Sequence, residues 1–174
     1  MERDETAVHC YCLFCETVRY SQVARAAERL LGCRAIYPVQ VQRIHRREGW
    51  IELVHALTPG YVFLYAREEL DTARLRGTTG LIKWLRYSDG EARLRGEDEL
   101  FALMLLDKGG AIGKTKVYRE GERIRIKQGA FGGTETRILK VDRRNTRIQI
   151  EIPFAGNLIK TWVEYEMLEE TEAQ

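Results

Sequence analysis

No stretch of this 174-residue sequence approaches the ~18 consecutive apolar residues that a membrane-spanning helix requires. Residues 1–6 are charged and carry no apolar core segment, so neither a membrane span nor a secretory leader is expected, and the protein is expected in the cytosol. An excess of charge of one sign is also missing. Twenty-eight Lys and Arg face 26 Asp and Glu, a net +2, which is too small to imply nucleic acid; any such argument must rest on local placement. Catalytic constellations are absent as well. There is no phosphate loop of Walker type and no Cys/His or Ser/His pair with a supporting carboxylate at recognisable spacing, while His9, His45 and His55 fall on strands or at a hairpin. The glycines around Phe131 precede no helix N-terminus that would receive a phosphate, so they serve a turn. An enzymatic function is not expected, and no cofactor is. What is present, 44% hydrophobic and 31% charged residues, is the composition of an ordinary folded protein.

Cysteine is scarce but clustered. Cys10, Cys12 and Cys15 form a C-x-C-x-x-C group beside His9, and Cys33 stands alone. One reading is a zinc or redox site. The other is a buried strand on which Val8, Cys10, Cys12 and Phe14 alternate onto one face, where a free thiol behaves as a small hydrophobe. No second Cys/His pair occurs at zinc-knuckle spacing, so the buried strand with reduced thiols and no metal is the expectation.

The stretch Thr58-Pro59-Gly60-Tyr61-Val62-Phe63-Leu64-Tyr65 organises the first part of the chain. A Pro-Gly turn leads into an aromatic and aliphatic run whose alternation puts Tyr61, Phe63 and Tyr65 on one face and Val62 and Leu64 on the other. A strand apolar on both faces sits centrally, with a partner on each side. Around it the spacing predicts a strand over 7–16, a helix over about 22–31 capped by Ser21 and stopped by Gly32, and a strand over 35–44 confined at its start by Pro38. A hairpin follows with a basic tip at 43–50, then a short helix over 67–75, a strand over 81–87 and an acid-led helix from 97 to 107. Together these make an α/β sandwich. Three glycines in 108–116 signal a flexible linker. Beyond it, short alternating strands separated by turns predict a small β-barrel.

The barrel is basic apart from its acidic end. Arg123, Arg125 and Lys127 share one strand face, and Lys140, Arg143, Arg144 and Arg147 are expected close by, with the double arginine on a neighbouring turn. Edge-protecting solvated charges are one reading; an RNA-binding surface that grips a structured hairpin is the other, and the double arginine turn favours it.

Pro59-Gly60-Tyr61-Val62-Phe63 resembles the PGYV/PGYL signature of the NusG family of transcription elongation and antitermination factors. Gly121, Ile124, Ile126, Gly129, Phe131 and Gly133 match the positions of a KOW motif, although Thr136 stands where the family usually has a further glycine. By order of elements the resemblance covers about 7–170. It implies an α+β protein with an RNA polymerase-binding domain over 1–107, a linker over 108–116 and a KOW domain over 117–174, monomeric and free of membrane, of the specialised LoaP-like or RfaH-like kind. It further implies polymerase contacts at Pro59, Gly60, Tyr61 and Phe63, and contacts to non-template DNA at Arg43, His45, Arg46 and Arg47. Phe131 and Phe154 fall where the barrel would meet a ribosomal protein or a termination factor in place of RNA. A KOW-type RNA-binding or ribosome-associated module without polymerase contact is the alternative.

Overall fold

A computed structural model describes residues 8–121, 123–129, 131 and 136–168, with the side chains of 42 and 43 outside the description. The chain forms two compact units, one containing the described residues up to 38 together with 59–110, the other containing 39–58 together with the residues from 111 onward.

In the first unit the aromatic run is strand β5 (Tyr61–Ala66). It lies between β2 (Arg34–Ile36) and β1 (His9–Cys15) in an antiparallel sheet of order β2-β5-β1-β6, with β6 (Leu81–Trp84) at the far edge. Its two faces are both covered, as the alternation requires. Val62 and Leu64 join Tyr11, Leu13 and Cys15 against Val23, Ala24 and Ala27 of helix α1 (Tyr20–Leu31). Phe63 and Tyr65 face helix α2 (Glu97–Asp107): the Phe63 and Phe101 rings lie 5.9 Å apart, and the Tyr65 hydroxyl donates to Ala102 O at 2.7 Å. Gly32 ends α1 in the left-handed conformation at φ 64°, its N–H donating to Glu28 O, the stop expected of it. Ser21 is not the N-cap, however. The helix begins at Tyr20, two residues earlier than expected, after Arg19 and without a side-chain cap.

Two expected elements shrink. The helix expected over 67–75 is one 3-10 turn, Thr72–Leu75, because Asp71 accepts the Ala73 N–H and closes the turn locally while Leu75 alone is buried. The strand expected over 81–87 stops at Trp84.

The second unit starts with the hairpin of β3 (Val39–Arg46) and β4 (Gly49–Ala56). Pro38 separates β3 from β2, so the single strand expected over 35–44 is two. Strand β7 (Ala111–Ile112) pairs parallel with β3, placing Val39 opposite Ala111 and Gln40 opposite Ile112. A second sheet has the order β10-β11-β12-β8-β9, built from β8 (Thr115–Glu120), β9 (Arg123–Gln128), β10 (Arg137–Asp142), β11 (Arg147–Phe154) and β12 (Asn157–Met167). Its centre is a parallel pair, Tyr165 opposite Thr115. Thus the segment expected as a flexible linker, 108–116, carries β7 and the start of β8, held by hydrogen bonds to strands far along the chain. The hairpin groups with this unit for the same reason: Thr161 Oγ1 donates to Leu57 O, and Glu164 N–H donates to the Gln40 side-chain carbonyl at 3.1 Å.

Candidate functional site

The Pro59-Gly60 turn is positioned by backbone. Gly60 has φ +91°, and a Cβ there would stand 2.6 Å from Cys15 O. Cys15 N–H donates to Gly60 O at 2.7 Å, so the turn is fastened to the end of β1 and Gly60 contributes conformation, not contact surface. Pro59 is exposed. Tyr61 is half-buried, its ring 5.0 Å from that of Phe14, and burial raises its hydroxyl pKa. Phe63, expected among the contact residues, is 1% exposed; helix α2 covers it, so it supports Tyr61 from within the sheet.

The sequence marks Leu100, Leu103 and Met104 as the apolar side of α2, whereas the structure leaves Leu100 and Leu103 exposed. Residues 100–106 are apolar without a break, so the helix is hydrophobic all round, a pattern normal only for a helix that is buried. Ala102 and Leu105 are buried against the sheet, whereas Leu100 is 60% and Leu103 37% exposed. Val18, on the turn after β1, is 84% exposed. The unbroken run was the signal available. Pro59, Tyr61, Val18, Ile82, Leu100 and Leu103 are thus among the apolar groups that this unit leaves wholly or partly to solvent.

The cysteines are core residues. Cys10, Cys12 and Cys15 are each at most 1% exposed. Burial pushes the thiols up, Cys10 and Cys33 to about 11 and Cys15 to about 12, with Cys12 well above the ordinary value. Thiolate, the form that attacks or ligates, is therefore scarce at neutral pH.

The basic hairpin tip forms as expected. Arg46 lies opposite Gly49, leaving Arg47 and Glu48 as the two-residue connection, and His45, Arg46 and Arg47 are exposed. The side chain of Arg43 lies outside the described residues. Trp50, which sequence reasoning did not assign, is 68% exposed opposite His45, the two rings 5.1 Å apart and nearly perpendicular.

The expected RNA-binding residues fall on β9, β10, β11 and the β10–β11 turn. Arg123 and Arg125 are exposed and Lys127 half-buried on β9, while Arg143 and Arg144 lie on the β10–β11 turn. In the hydrogen-bonding order β9 and β10 are the two edge strands, and Arg123 and Arg125 of β9 line one cavity with Arg137 and Ile138 of β10. Two of the cations are engaged internally. Arg125 pairs with Glu120 at 2.5 Å, and Arg147 pairs with Asp142 at 3.0 Å while its guanidinium lies 4.7 Å from the Trp162 ring centre. Asp142 also accepts from the Asn145 N–H and side-chain amide, at 3.1 and 2.8 Å, and these bonds lower its pKa. Its carboxylate closes the turn that holds out Arg143 and Arg144, both exposed with no ion-pair partner among the described residues. Phe131 and Phe154 are 1% and 3% exposed. They fill the core of this unit, a correction to their expected place on a partner surface.

A small antiparallel sheet with a helix on each face, joined in one chain to a second unit of short strands, defines an α+β protein whose exposed features are an aromatic turn and two basic tips. No helix among the described residues is long and apolar enough to cross a membrane. No protein-family model matches the chain, and no curated protein matches it. Among solved structures it is similar to NusG from Thermotoga maritima, in a structure described as showing domain interaction in that protein: 16% identity, TM-score 0.51, with 92% of this chain and 95% of that one covered. At that identity the likeness is one of fold, and it extends over nearly the whole of both chains.

Proposed function

We propose that this chain is a transcription elongation factor of the NusG type, acting by binding and not by chemistry: it docks on RNA polymerase through the Pro59 turn, suppresses pausing or termination, and binds RNA through its C-terminal strands. The observation that carries the reading is the meeting of a NusG-like fold over almost the entire chain with an exposed Pro59 and a half-exposed Tyr61 on a turn fixed by Gly60. A partly exposed tyrosine is the kind of anchor that carries much of the binding energy of an interface. The domain assignment proposed is functional: residues 1–107 carry the polymerase contact and 117–174 the KOW-type contact. The tip at Arg46 and Arg47 meets non-template DNA, adding affinity through phosphates.

Tyr61→Ala tests the docking surface. Because Tyr61 is only half-buried, the first unit is expected to stay folded while retention of RNA polymerase falls by about 2 kcal/mol, roughly 30-fold in affinity. Unchanged copurification with polymerase by a folded variant would remove the reading and leave a polymerase-independent RNA-binding module.

Within the second unit the burial of Phe131 and Phe154 favours RNA over a ribosomal protein or termination factor as the partner, since neither ring is offered to a protein. Arg143→Ala/Arg144→Ala is expected to weaken binding to a structured RNA hairpin and to flatten its salt dependence by about one unit or slightly less for each phosphate no longer neutralised. Arg125→Ala and Arg147→Ala should do less, because Glu120 and Asp142 already neutralise those cations. A titration of the full chain across salt concentrations measures both; a double variant with the parent's slope returns the protein-partner reading.

A further inference from the structure

We infer that the outer edge of the first unit's sheet carries a site for a free nucleoside diphosphate, in the cavity between β6 and the 3-10 turn. The inference goes beyond the proposed polymerase, DNA and RNA contacts and uses none of their residues.

Strand β6 pairs with β1 alone among the described residues, so it is an edge strand. A cavity of about 370 Å³ runs along it, lined by residues 81–84, by Thr72 and Ala73 of the 3-10 turn, by 76–78 and by Arg86. That volume suits one small ligand. Its charge is of one sign. Arg76, Lys83 and Arg86 line the cavity, no carboxylate does, and none of the three cations forms an ion pair among the described residues. A concavity lined by one sign of charge concentrates the opposite ion, and a sheet edge is itself a place where anions collect. Arg86 is also set in place: its Nη1 donates to Gly90 O at 2.8 Å and its Nη2 to Thr72 Oγ1 at 3.2 Å. The remaining guanidinium N–H groups can meet a phosphate at little further cost in side-chain ordering. The nearby carboxylates of Glu69, Asp71 and Glu91 line an adjoining cavity, which shares Thr72 and Arg86 with this one, and Asp71 is committed to the Ala73 N–H.

The flat ring of the ligand follows from Trp84. Opposite Leu13 in the ladder, it lies on the face of the sheet that packs toward α1 and Leu75 of the 3-10 turn. Its ring meets that of Tyr11 at right angles, the centres 5.9 Å apart, and it is half-buried. An indole oriented by a core contact, with part of its surface on the cavity, is a place for a planar base to stack. Lys83, opposite Phe14, belongs to the other face and lines the cavity because β6 is at the edge. Three cations around one concavity favour a terminal diphosphate over a nucleic-acid strand, whose phosphodiesters each carry a single charge and lie spread along a backbone. An inorganic anion would use the cations and leave the indole idle.

The test is a titration of the full chain with ADP and with GDP, followed by calorimetry and by tryptophan fluorescence. Saturable binding is expected with a Kd below about 1 mM, tighter than that of the matching nucleosides and tighter than that of inorganic pyrophosphate. Arg76→Ala/Lys83→Ala should weaken it at least about 5-fold, the size of one solvent-accessible charged contact. Both side chains are exposed, so the unfolding midpoint of this variant should match the parent's. Trp84→Phe should keep most of the affinity and lose the fluorescence change. Absence of saturation at about 1 mM, pyrophosphate binding as tightly as the nucleotides, or a double variant with the parent's affinity would overturn the inference. Displacement of the nucleotide by short duplex DNA at equal phosphate concentration would overturn it too, and would give the cations to a nucleic-acid backbone. No polymerase or RNA is present in the titration. Its failure would leave polymerase retention and hairpin binding untouched, and failure of those readings would leave its result standing.

Discussion

Phe63→Ala should destabilise the first unit by about 3–5 kcal/mol, the usual cost of emptying a buried phenylalanine site. Phe63 is 1% exposed at the middle of β5, opposite Cys12 on β1, with Phe101 of α2 above it. The neighbours cannot collapse into the space easily. Cys12 is held by the strand ladder, and α2 is tied down beside the cavity by the Tyr65 hydroxyl bond to Ala102 O. Against a total stability of roughly 5–15 kcal/mol for a domain, a loss of this size leaves a marginal fold. Amide exchange resolves it: β1, β5 and α2 should lose protection together, whereas strands of the second unit keep theirs. A change below about 1 kcal/mol would show that α2 is not anchored through this ring. The comparison with Tyr61→Ala matters as much as the number, because one substitution removes the support of the turn and the other its offered surface.

Gly60→Ala should cost at least about 2 kcal/mol, from two sources that act together. A positive φ costs an L-residue about 1–2 kcal/mol by itself. The added methyl would also meet Cys15 O at 2.6 Å. That oxygen is backbone of a central strand and cannot swing aside, so relief requires displacing the turn and stretching the 2.7 Å bond from Cys15 N–H to Gly60 O. The expected result is a lowered unfolding midpoint together with weakened polymerase retention, since Pro59 and Tyr61 move with the turn. Parent-like stability would mean that the turn relaxes freely and does not fix the candidate site.

The first unit was largely legible because its signals are local. Five residues of β5 suffice to assign Val62 and Leu64 to one face and Phe63 and Tyr65 to the other, and a glycine after an apolar helical stripe suffices to end α1. What failed depended on partners distant in sequence. Residues 111–116, expected in the linker, carry β7 and the first two residues of β8 because Ala111 pairs with Val39 on β3 and Thr115 with Tyr165 on β12. The supposed helix at 67–75 had apolar spacing, but Asp71 captured the Ala73 N–H before a second turn could form. Site residues divide in the same way. Pro59 is exposed because a turn must lie at the surface, and Tyr61, first in β5 after it, is half-buried. Phe63, Phe131 and Phe154 look equally aromatic in sequence, and only tertiary packing shows them covered. Trp50 falls at the end of the basic tip in sequence, where the charges draw the reading, and only the structure shows its ring 68% exposed.

The second unit is assembled from chain that is not contiguous. Its hairpin, 39–58, emerges from the ribosome before residues 59–110 of the other unit, and both β7, which pairs with β3, and β12, whose Thr161 and Glu164 hydrogen-bond to Leu57 and Gln40, come later still. At synthesis rates of ~5–20 residues per second, the hairpin waits several seconds with neither Ala111 nor the Thr161 hydroxyl available to it. A lone hairpin is marginally stable in water. During that interval β3 and β4 expose unpaired edges that any other strand could join, and the first unit has to fold around an open interruption in its own sequence. The order of synthesis therefore makes β12 the latest of the described strands to reach this unit, and a chain cut short within it would lose the bonds from Thr161 and Glu164 to the hairpin.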